Sequence, residues 1–150
     1  MAGAFQTFNS APARSLVRLN VDGSYDNTFA LGSGFNSQVS AISVDFNDNI
    51  LAAGRFTRVS GARRVFAARL LPDGQLDTSF LDTGFNQFAG FPNPQGFAPT
   101  GFLNAIVEDN DGNVLVGGSF TRVGGGGTRS ATKPRSNFAR LVGGTTQDQA

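Results

Sequence analysis

The chain has 150 residues, 39% of them hydrophobic and 15% charged, with a formal net charge of +1. That suffices for one globular domain burying roughly two-thirds of its unfolded surface, and gives no basic excess for general attraction to nucleic acid or membrane. The absence of Cys and His excludes disulfides, Ser-His-Asp and Cys-His nucleophilic sites, and imidazole or thiolate metal centres; no cofactor is expected.

The opening stretch MAGAFQTFNS has neither the basic start nor the apolar run of a signal peptide. No segment approaches the roughly 18 apolar residues of a membrane span, so membrane insertion is not expected. Gly3-Ala4-Phe5 aligns with Gly54-Arg55-Phe56, which places residues 1–20 in a partial repeat that begins near the close of a strand. Short β-rich runs bounded by turn residues predict strands over Val39–Val44, Asn49–Phe56 and Val65–Leu71, and again over Phe102–Val107, Asn113–Phe120 and Asn137–Val142. Asn47-Asp48 and Asp111-Gly112 tolerate the positive φ of tight hairpins. Asp22-Gly23 and Asp73-Gly74 mark a further turn, leading into SYDNTF or QLDTSF as a short fourth strand or strand-like return.

These runs are two copies of one unit. Ala41–Val59 returns as Ala105–Val123, and Val17–Phe29 returns as Ala68–Phe80. Leu19, Leu70 and Leu141 are 51 and then 71 residues apart, because the second copy carries Gly- and Pro-rich insertions at about 86–101 and 124–135. The expected fold is all-β, with propeller-like blades of about four antiparallel strands. Two full repeats (about 21–71 and 72–142) follow the partial one in a domain spanning 1–142, and 143–150 form a tail.

Leu16–Phe29, Gly32–Arg64 and Ala67–Phe80, with turn, glycine and phenylalanine recurring in order, closely resemble the delta-60 repeat. The resemblance spans roughly residues 3–142. It implies β-propeller blades of the kind found in large bacterial surface or secreted proteins and some phage structural proteins. A closed ring takes about four to eight blades. Copies of a two-blade chain are therefore expected to associate head-to-tail, for example three chains giving about six blades.

Repeated residues read first as scaffold. Gly54 and Gly118, before Phe56-Thr57-Arg58-Val59 and Phe120-Thr121-Arg122-Val123, point to close backbone approach beside a buried ring rather than a binding groove. Arg18, Arg69 and Arg140 could line an anion channel; bracing of carbonyls or aspartates is the favoured reading. The run from Asp109 to Asn113 resembles the start of a calcium loop but lacks the closing glutamate, and a hairpin turn is expected. Asp22/Asp26 and Asp73/Asp77 could be general acid–base pairs, yet a brace is needed in every blade and a catalytic pair only once, so Asx turns are expected. GGGGTRSATK lacks the ending of a phosphate loop.

Function is then sought in what the copies do not share. Phe88, Phe91 and Phe97, among prolines 92, 94 and 99, form an apolar loop whose exposure implies a covering partner. Arg129, Lys133 and Arg135 make a local basic patch, by default a solvated loop, whose functional reading is contact with an acidic partner. The expected role is a non-catalytic structural or adhesion module in a virion or at a bacterial surface, with other structural proteins or further copies as partners and no nucleic acid. A carbohydrate-binding propeller with a glycan partner is a second reading, weakened by the absence of Trp and a single Tyr; a carboxylate-only hydrolase is a third.

Overall fold

The computed structural model describes residues 1–80, 89–91, 101–125 and 133–141. In chain order its strands are β1 (Thr7–Phe8), β2 (Ala11–Pro12), β3 (Val39–Val44), β4 (Ile50–Gly54), β5 (Arg58–Val59), β6 (Ala62–Arg63), β7 (Ala67–Leu70), β8 (Ala89–Gly90), β9 (Phe102–Glu108), β10 (Val114–Ser119), β11 (Arg122–Gly125), β12 (Lys133–Pro134) and β13 (Phe138–Leu141). No helix occurs among the described residues. The six longer predicted strands are present as β3, β4, β7, β9, β10 and β13, trimmed or extended by a residue or two at their ends.

Each repeat builds a three-stranded antiparallel blade, β3-β4-β7 in the first and β9-β10-β13 in the second. The same local chemistry turns the chain twice. Asp45 N–H donates to the Asn49 carbonyl, and Asp48 N–H donates back to the Asp45 carbonyl; Asp109, Asn113 and Gly112 repeat both bonds. Asp48 (φ 62) and Gly112 (φ 78) occupy the left-handed position that closes such a hairpin. The fourth strand is reduced to single bridges, Leu19↔Tyr25 and Leu70↔Leu76. It stops there because Asp26 and Asp77 fold the chain into side-chain-capped turns.

Gly54 and Gly118 mark equivalent irregularities. The register shifts opposite Gly54 between Val39 and Ala41, and between Gly117 and Gly118 in the second blade. A Cβ on Gly54 would lie 2.1 Å from the Gln38 carbonyl oxygen, and one on Gly118 would lie 2.2 Å from that of Phe102. Opposite each glycine is a non-glycine residue in the left-handed region, Phe66 (φ 65) or Asn137 (φ 66), whose carbonyl accepts the glycine N–H. Ser15 (φ 67) does the same for Gly3 in the partial blade. This left-handed acceptor recurs three times with three different residue types, so the sequence pattern does not announce it.

Blades stack face to face, and alternation along the strands gives each blade two faces. Leu51, Ala53 and Ala67 of the first blade pack against Ile106, Val114, Val116, Ala139 and Leu141 of the second in one core. On its other face, Ala52, Ala68 and Leu70 join Leu16, Phe29, Phe35, Phe56 and Val59 in a second core shared with the N-terminal partial blade. Aromatic pairs pin both cores: Phe35 meets Phe56 edge-on at 4.6 Å between ring centroids, and Phe91 meets Phe120 at 4.8 Å.

Candidate functional site

The repeated polar residues form a brace. Arg69 on β7 donates from Nε to Asp77 Oδ2 at 2.7 Å, and its Nη1 lies 3.9 Å from Asp45 Oδ2. Its guanidinium lies over the Phe80 ring, 5.1 Å from the centroid. Arg18 repeats the arrangement with Asp26 at 2.6 Å and Phe29 at 4.8 Å. Arginine suits this task because its planar fork can meet a carboxylate and lie over a ring at once.

The aspartates are committed by the same geometry. Asp26 Oδ1 accepts the Thr28 hydroxyl and N–H, and these bonds, with the Arg18 contact, hold its carboxyl at about 2. Burial alone would push Asp77 up, but the Ser79 hydroxyl, Arg69 and the Ser79 N–H together hold it below the ordinary carboxylate value. Asp22 is lowered by the Ser24 hydroxyl and N–H, and Asp109 by the Asn113 N–H, despite some desolvation. All are ionised at neutral pH and bonded within their own turns. Asp22 with Asp26, and Asp73 with Asp77, therefore act as successive turn caps rather than as facing carboxylates. Asp45 likewise accepts the Asn47 and Asn49 N–H groups. Among the described residues no cluster of three or more such groups is placed to hold a metal ion.

The braces also join blades. Arg18 Nη1 reaches the Pro72 carbonyl, and Ala30 N–H donates to the Asp73 carbonyl at 2.7 Å. Between the two full blades, Phe46 N–H donates to Glu108 Oε2 at 2.8 Å, and Arg55 lies over the Phe102 ring at 4.1 Å.

The stack has two open ends. Ile42 and Ile106 are equivalent by register, yet Ile42 is 41% exposed and Ile106 only 5%. Ile42 and Val44 flank a groove of about 310 Å³ shared with Met1, Leu16, Leu19 and Ile50. At the far end the second blade turns Val107 (49% exposed), Phe138 (60%) and half-buried Leu115 to solvent. Their first-blade equivalents Ser43, Ala67 and Leu51 sit under the second blade or beside it.

The unrepeated candidates fare differently. Phe91 was expected on an exposed partner-binding loop; instead it is 2% exposed and pairs with Phe120 in the core. It fills the place that Phe35 fills beside Phe56, since β8 pairs with β11 just ahead of it, as Phe35 bridges Val59. Phe88, Phe97 and Arg129 lie outside the described residues. Lys133 on β12 is exposed, and Arg135 is half-buried with Nη1 donating to the Pro134 carbonyl at 2.8 Å. Lys133 pairs with Val123 as Ala62 pairs with Val59, so Lys133 occupies the place of Ala62 in the β5–β6 pair. Sequence reading missed Ile42, Val44, Val107 and Phe138, whose exposure follows from which face the neighbouring blade covers.

The family described as "Domain of unknown function (DUF5122) beta-propeller" matches residues 1–29 and 47–80. The blades are of the β-propeller type. The matched segments cover the braces at Arg18–Asp26 and Arg69–Asp77 and the central strand of the first blade. No curated protein and no solved structure matches the chain.

Proposed function

We propose that this chain is a non-catalytic structural module of the delta-60 type, a component of a virion, as capsid decoration or tail, or of a bacterial surface structure. It acts through protein–protein contacts, first with copies of itself. The observation that carries this reading is the pair of open blade faces, Ile42 and Val44 at one end and Val107 and Phe138 at the other; Ile106 and Ala67, the equivalents of Ile42 and Phe138 inside the chain, are buried between blades. Commitment of the carboxylates to turns and braces supports a scaffold rather than a hydrolase. The apolar lining of the groove favours a protein surface over a sugar.

Native mass spectrometry tests it. The expected species is a closed oligomer, a trimer giving about six blades, and Phe138→Asp with Val107→Asp converts it to monomer. A wild-type chain that stays monomeric at tens of micromolar overturns the reading.

A further inference from the structure

The composition is nearly neutral, but the topology separates most of the charges, with Arg18, Arg69 and exposed Arg140 the bases that stay on the acidic side. Every strand of an antiparallel blade returns its chain to one of two rims. The β3–β4 and β9–β10 hairpins and the turns after Leu19 and Leu70 all reach the same one. Asp22, Asp48, Asp73 and Asp111 are exposed there, and the remaining described acidic residues lie at that rim or just inside it. On the opposite rim stand Arg14, Arg55, Arg58 and Lys133, all exposed, with Arg135 beside them. None of these five makes an ion pair with a described residue, whereas Arg18 and Arg69 at the other rim do.

We propose that the basic rim of one copy seats on the acidic rim of the next, giving a polar stack whose axis follows the strands. The occupant is a second copy because the same molecule carries the complement: four exposed acids on one rim, four exposed bases on the other. Such a contact is heterologous, leaves an unused rim at each end, and so propagates instead of closing. It is separate from the apolar blade-end contact and does not require it. Salt distinguishes them, since exposed charges are screened within about 10 Å at 0.1 M salt, whereas apolar burial persists.

The test is sedimentation of nuclease-treated protein at about 20 mM and about 500 mM salt, where screening is respectively weak and strong. The expected result is a larger species at low salt that reverts at high salt. Arg14→Glu with Arg58→Glu abolishes the low-salt species, as does Asp22→Lys with Asp111→Lys, and mixing the two double variants restores association. Phe138→Asp, which targets the blade end, leaves the salt-dependent step in place. Absence of salt dependence, double variants that associate like wild type, or a mixture that fails to associate overturns the proposal. So does association that nuclease removes and added oligonucleotide restores, which would assign the basic rim to a polyanion.

Discussion

The two full blades are near-copies in strand pattern and opposites in exposure. In the first, Leu51 on the central strand is fully buried, and the edge strand β3 turns Ile42 and Val44 outward. In the second, Leu115 at the equivalent of Leu51 is half-buried, Ile106 is buried, and Val107 faces out instead. A residue's environment in a stacked repeat is set by its neighbour, not by its own unit.

The largest effect separates the aromatic pockets. Phe56→Ala and Phe91→Ala should each cost about 3–5 kcal/mol in urea unfolding, because each empties half of a buried ring pair. A Phe91→Ala variant of unchanged stability would show that the second pocket is not filled as the first is. Leu51→Ala should cost about 3 kcal/mol and Leu115→Ala about 1 kcal/mol in the monomer. Equal costs would mean that the outer face of the second blade is covered, as the assembly reading requires at higher concentration.

The braces divide in the same way. Arg69→Met strands Asp45 and Asp77, both largely shielded, and should cost about 3 kcal/mol. Arg140→Met on the exposed face should stay within about 0.5 kcal/mol. The smallest effect is on pH dependence. A depressed carboxylate contributes stability in full above its ordinary value and loses it as pH falls through its folded value. With Asp26 held at about 2 and Asp22, Asp77 and Asp109 also lowered, the urea midpoint should fall between about pH 4 and pH 2. Between about pH 5 and 7 it should be flat, since the chain has no histidine. Asp26→Asn and Asp77→Asn should each shrink the acid slope.

Strand positions, both hairpins and the capped turns were legible because each rests on local chemistry: alternation, positive-φ residues, and Asp placed two residues before an N–H. The bracing role of Arg18 and Arg69 was legible because it repeats. Phe91 was misread because its loop is rich in Gly and Pro and sits in an insertion, signs of exposure that a pairing between β8 and β11 overrides. The recurring left-handed backbone at Ser15, Phe66 and Asn137 left no shared residue type to read.

Sequence alone determined that the chain forms repeated antiparallel blades with braced turns, since these depend on residues within a few positions of one another. Only the tertiary structure decided which apolar residues face solvent and that exposed aspartates line one rim while Arg14, Arg55, Arg58 and Lys133 line the other. Both properties arise when distant strands are stacked and aligned, and no local window of the chain contains that information.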